Sequence, residues 1–133
     1  MSSHYHALVW IDHREAKVFH FNALESELET VHSHHPDQHI HHKANSGDSG
    51  HAPVDNEFLK RVASALSSAG AILVTGPGNA KTQLVDHISR SNPGLADRIS
   101  AVEPLDHPSD GQLLAHGRTF FRADDRMHSQ VHQ

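Results

Sequence analysis

At 133 residues the chain has room for one compact domain with a proper core and none for a second. It contains no cysteine, which excludes disulfide frameworks, thiolate metal sites and cysteine nucleophiles together. The formal charge of −5 counts all 16 histidines as neutral, so a strongly basic nucleic-acid footprint is absent at neutral pH and no DNA partner is expected, and the charge climbs towards about +11 as the imidazoles protonate.

The opening MSSHYHALVW has neither a basic nor a long apolar segment of the kind that directs secretion, and no apolar run is long enough to cross a bilayer. A cytoplasmic protein with no membrane partner is the expectation. Tyr5 to Ile11 (YHALVWI) is a continuous apolar run of strand length. After the polar Asp12–Glu15, Ala16 to Phe21 alternates, with Lys17, Phe19 and Phe21 on one face and Ala16, Val18 and His20 on the other. The two runs predict a β-hairpin. A third, more polar strand over about Leu28–His32 is expected at or near a sheet edge.

Ser33 to His51 is rich in Pro, Gly, Ser, Asn and Asp, and its only large apolar residue is Ile40, which predicts a long mobile loop. Pro53 to Ala69 carries a helical stripe of Phe58, Val62, Ala65, Leu66 and Ala69, with Asp55 able to cap its start. Ala71–Thr75 (AILVT) reads as a buried strand, and Gly76-Pro77-Gly78 turns it into a helix over about Asn79–Arg90 that stops at Asn92-Pro93-Gly94. A short strand over Ile99–Val102 precedes a last helix from Pro108 to about Phe121, with Ser109 or Asp110 near its cap. The tail from Arg122 to Gln133 is polar and expected to fray.

Three strands followed by alternating helices and strands predict a single α/β domain over residues 1–133. Its mixed sheet has antiparallel N-terminal strands and packed helices. A ribonuclease-H-like arrangement fits this order.

The segment Thr75–Thr82 (TGPGNAKT) invites comparison with a phosphate-binding loop. That loop needs a glycine immediately before its lysine so that backbone amides wrap a phosphate, and here Ala80 precedes Lys81. A tight strand-to-helix turn is the simpler reading. Lys81, at a helix start, is kept as a phosphate-contact candidate.

The run AILVTGPGNAKTQLVDHI resembles the stretch of Pelota and archaeal release-factor middle domains in which a buried strand enters a Gly-Pro-Gly turn and a lysine follows. ALVWIDHREAKVFHF is similar to their first hairpin, and DNEFLKRVASAL falls between the two motifs as that pattern expects. The likeness covers most of residues 5 to 105 and suggests a stand-alone bacterial relative of the middle domain of archaeal and eukaryotic release factors and Pelota. The resemblance implies a translation-machinery protein with the ribosome or tRNA as partner. Release factors carry Gly-Gly-Gln in the loop after the early strands, and this chain has no such triplet. Gln38 has no glycine before it. Pelota also lacks the triplet, so the resemblance implies ribosome binding without ester hydrolysis.

The histidine-rich loop carries two further readings. His32 and His34, like His39 and His41, are two apart, which puts each pair on one side of an extended backbone. Neutral imidazoles there suit zinc, nickel or copper, so His32, His34, His39 and His41 form a candidate set for zinc or nickel. Alternatively His34, His35, His39, His41 and His42, with Lys43, become cationic on meeting RNA phosphate, because negative potential raises imidazole pKa values. A solvated loop that takes up metal adventitiously is the plain alternative.

Three Asp-His neighbours, Asp12-His13, Asp86-His87 and Asp106-His107, lack the geometry for catalysis, since adjacent side chains seldom orient one another. A two-metal nuclease would need Asp12, Glu57, Asp86 and Asp106 to converge, although the first lies in a turn and the second at a helix start. Phe120 and Phe121, beside Arg118 and Arg122, have the composition of a base-stacking platform, but their helical spacing favours core packing. The sequence thus points to a non-catalytic translation-associated binding module. A divalent-metal-binding protein is the alternative.

Overall fold

The computed structural model describes residues 5–33 and 55–128, with side chains through Ala123. Three strands come first: β1 (His6–Ile11), β2 (Glu15–Phe21) and β3 (Ser26–His32). They are followed by α1 (Asn56–Leu66), β4 (Ala71–Gly76), α2 (Ala80–Ser91), the single turn α3 (Pro93–Ala96), β5 (Ile99–Pro104) and α4 (Asp110–His128). The strands form one five-stranded sheet in the order β3-β2-β1-β4-β5. β2 is antiparallel to both its neighbours, while β4 runs parallel to β1 and β5 parallel to β4. The sheet is therefore mixed, with β2 as its one reversed strand.

β1 sits at the centre, and its sequence explains why. Ala7 to Ile11 are all buried, which a strand covered on both faces requires. Its alternate residues feed two cores. Ala7, Val9 and Ile11, with Ala16, Val18, Ile72 and Val74, meet Phe58, Val62 and Leu66 of α1 and Leu84 and Ile88 of α2. On the opposite face Leu8, Trp10, Phe19, Phe21 and Leu73 pack against Leu113 and Phe121 of α4. Each large aliphatic or aromatic side chain buried this way contributes roughly 1.5–3 kcal/mol relative to exposure. The thin aromatic content is concentrated under α4.

The helix ends are set by capping. Asp55 takes an extended conformation, and its Oδ1 accepts the Phe58 amide at 3.0 Å, so α1 opens there. The expectation of a start at Pro53 falls outside the described residues. The predicted end at Ala69 comes late, because Ser67 closes the helix by bonding back to the Ser64 carbonyl. Asn92 ends α2 by donating its amide to the Ile88 carbonyl, and its side chain then caps α3 by accepting from Leu95 N. The predicted stop at Asn92-Pro93-Gly94 is thus also the start of a short helix, with Pro93 in its first turn.

Other ends also differ from the sequence reading: β3 starts at Ser26, ahead of Leu28. β5 runs to Pro104 instead of Val102. α4 starts behind a reciprocal cap, in which Gln112 N donates to Ser109 Oγ and Ser109 N donates to Gln112 Oε1. It then continues to His128, so Arg122–His128, expected to fray, are helical. Arg118 helps to hold α4 down by donating to the carbonyls of Asn22 and Glu25 in the β2–β3 turn.

Candidate functional site

The parallel strands β1, β3, β4 and β5 all end at one edge of the sheet, where ligands of open α/β sheets commonly bind. Four connections meet there: the turn Asp12–Arg14, the exit from β3 at Ser33, the Gly76–Asn79 turn and the stretch Leu105–Ser109. Their packing is tight. Gly76 has φ +155°, a conformation that favours glycine, and it lies directly on the Ile11 carbonyl.

Side chains tie these connections together. Asp12 Oδ1 accepts the amides of Arg14 and Glu15, shaping the β1–β2 turn. His13 Nε2 lies 3.0 Å from Asn79 Oδ1, joining that turn to the start of α2. Trp10 is buried beneath the edge and donates from Nε1 to the Asp106 carbonyl at 2.9 Å and to Leu105 at 3.3 Å. The His107 ring lies over it with centroids 5.1 Å apart. The Leu105 amide donates to the Gly76 carbonyl.

The exit from β3 is equally fixed. Ser33, assigned from sequence to the mobile loop, is buried, and its amide donates to the Arg14 carbonyl at 2.9 Å. Its hydroxyl donates to Asp55 Oδ2 at 2.7 Å. The two residues flanking the histidine-rich segment are therefore bonded to each other. Nothing in the sequence between them signals this contact, since Ser33 reads as one polar loop residue among many.

Of the candidate RNA contacts, His34, His35, His39, His41, His42 and Lys43 lie outside the described residues. Lys81 is described, and its Nζ donates to the Gly78 carbonyl, so its ammonium is turned back onto its own turn. Of the candidate metal ligands, His34, His39 and His41 also lie outside the described residues. His32 ends β3, exposed, with Nδ1 4.0 Å from Glu15 Oε1. Among the described residues no three His, Asp or Glu side chains come together in a way that would hold a metal ion.

Other histidines have structural partners. His6 stacks on Phe121 at 4.5 Å, His20 Nε2 lies 2.8 Å from the Ala65 carbonyl, and His116 Nε2 lies 2.7 Å from Glu103 Oε1. Phe121 is core, and Arg118 is engaged with turn carbonyls, so neither is available for stacking on bases. The edge presents His13, Arg14, His32 and His107 to solvent, a surface rich in hydrogen-bonding groups.

No protein-family model matches the chain, and no curated protein sequence matches it. Solved structures do. Pelota from Archaeoglobus fulgidus superposes with a TM-score of 0.64 at 18% identity, over 95% of this chain and 33% of its own. Dom34 of S. cerevisiae, a translation termination-like factor involved in RNA quality control pathways and interacting with Hbs1, gives 0.59 at 13% identity over 96% and 36%. The archaeal translation termination factor aRF1 gives 0.54 at 15% identity over 81% and 32%. Likeness at such identities establishes the fold: over 81–96% of its length the chain is similar to a part of these proteins amounting to about one third of each.

Proposed function

We propose that this domain is a non-catalytic binding module of the translation apparatus, a relative of the Pelota and release-factor middle domain that contacts the ribosome or tRNA. The observation that carries this reading is the fold likeness to Pelota across 95% of the chain. The strand order β3-β2-β1-β4-β5 with β2 alone reversed supports a ribonuclease-H-like topology. The contact surface is the carboxyl edge of the sheet together with the segment between Ser33 and Asp55, which carries His34, His35, His39, His41, His42 and Lys43. Beside RNA phosphate these imidazoles take up protons and become cations. The chain has no two consecutive glycines, so it lacks the triplet with which release factors act on the ester.

Co-sedimentation with ribosomes tests the proposal. The wild type is expected to travel with vacant or stalled ribosomes at low salt and to dissociate as salt rises. Replacing the five histidines by alanine is expected to leave the protein at the top of the gradient. Wild-type protein that stays at the top at low salt overturns the reading. Peptidyl-tRNA ester release above background would overturn its non-catalytic part.

A further inference from the structure

We propose that the outer edge of β3 takes up an extended segment of a partner protein, one that carries basic side chains on one face with an apolar side chain between them. β3 is the terminal strand of the sheet, bonded to β2 on one side, and no described strand pairs with its other side. Ser26 to Thr30 are exposed. The strand contains neither Pro nor Gly, so every residue keeps a backbone donor and acceptor. The opposite edge strand, β5, ends in Pro104, which has no amide to offer. An exposed regular edge is a template for strand addition, in which main-chain bonds supply affinity and alternate side chains supply specificity.

The side chains define the occupant. Val31 packs into the core under α1, so by the two-residue period Glu27 and Glu29 share that face, and Leu28 and Thr30 share the other. Glu27 and Glu29 line a groove of about 840 Å³ between β3 and α1, walled on the helix side by Arg61, Ser64 and Ser68. Neither carboxylate has a hydrogen bond or ion pair among the described residues. Leu28 leaves 44% of its surface exposed. Two carboxylates on one face and an exposed leucine between them call for the order basic, apolar, basic in the incoming strand.

The same charges oppose two other occupants. In a second copy paired antiparallel about Leu28, Glu27 would face Glu29, and like charges directly opposite oppose pairing. A phosphate backbone would meet the same two carboxylates.

The probe is a synthetic peptide of alternating Lys and Val with Thr at both ends, titrated into the wild-type protein and followed by amide exchange. The expected result is at least tenfold slower exchange at β3 amides that do not bond to β2. N-methylating the pairing amides of the peptide, which keeps its charge, is expected to weaken binding at least tenfold. A peptide with Glu in place of Lys is expected not to bind. In the protein, Glu27→Lys with Glu29→Lys is expected to weaken the Lys peptide at least tenfold, with a melting temperature as in the wild type to show that the fold is kept. An N-methylated peptide that binds equally well, or protection located away from β3, overturns the proposal. The peptide arms use unaltered protein, and their outcome is independent of ribosome binding.

Discussion

The carbonyl oxygen of Ile11 and the α-carbon of Gly76 approach so closely that a β-carbon on residue 76 would sit 2.2 Å from the oxygen. Both residues lie at the carboxyl ends of central parallel strands, so the contact fixes how the β1–β2 turn and the β4–α2 turn meet. Gly76→Ala is expected to destabilise the protein by about 1–3 kcal/mol, from left-handed backbone strain and displacement of β1. Urea unfolding should show a lower midpoint with an unchanged slope. A variant as stable as the wild type would deny the close approach.

Two glycines of α4 should respond in opposite directions. A β-carbon on Gly117 would lie 2.9 Å from the Phe21 ring and 3.2 Å from Leu8, so this residue sets how near the helix lies to the sheet. Gly117→Leu overpacks that contact and should cost about 1–3 kcal/mol. Gly111 has open space around it, and Gly111→Ala should stabilise by about 0.4–1 kcal/mol by restricting the unfolded chain. Thermal unfolding of the two variants checks the pair. Equal shifts of one sign would show that α4 does not rest on Phe21 through Gly117.

Local signals made the elements legible, and long-range contacts stayed hidden. The apolar run Tyr5–Ile11, the alternation of Ala16–Phe21 and the cap at Asp55 each depend on neighbours in sequence, and each appears in the structure, with Tyr5 alone left exposed outside β1. The polar β3 was legible as an edge for the same reason. α3 was missed because Asn92-Pro93-Gly94 carries stop and start signals at once, and only burial of Leu95 selects the second. The site contacts are harder still. His13 meets Asn79 across 66 positions and Trp10 meets Asp106 across 96, distances at which no spacing rule operates. Histidine is densest in the segment between Ser33 and Asp55, whereas His6, His20 and His116 are absorbed by packing and hydrogen bonding elsewhere.

Asp55 performs two tasks with its two oxygens, capping α1 through Oδ1 and accepting the Ser33 hydroxyl through Oδ2. Ser33→Ala should cost about 1–2 kcal/mol, the worth of a partly buried hydrogen bond to a charged acceptor. Asp55→Ala loses the cap as well and should cost more, about 2 kcal/mol or above. The double variant is expected to be little worse than Asp55→Ala alone, because the shared bond is already gone. Strictly additive losses in urea unfolding would mean that the flanks of the histidine-rich segment are not coupled through this bond.

Lys17 of β2 reaches the first turn of α4, where its Nζ lies 2.7 Å from Asp110 Oδ1. This hydrogen bond, opposed by some desolvation and aided by the carboxylate charge, raises the lysine above its ordinary value of 10.5. A folded-state pKa above the unfolded one stabilises the fold fully below pH 10.5, and the contribution is lost as pH rises through the higher folded value. The side chains are 26% and 51% exposed, so screening limits the pair to about 0.2–1 kcal/mol. Asp110→Asn alone also removes a favourable charge from a helix N-terminus, so the pair is isolated by a cycle with Lys17→Met. The coupling energy should be present at pH 7, shrink in 1 M salt and vanish well above pH 10.5. Coupling that persists or grows in strong base would show that the two elements are held together here by something other than this ion pair.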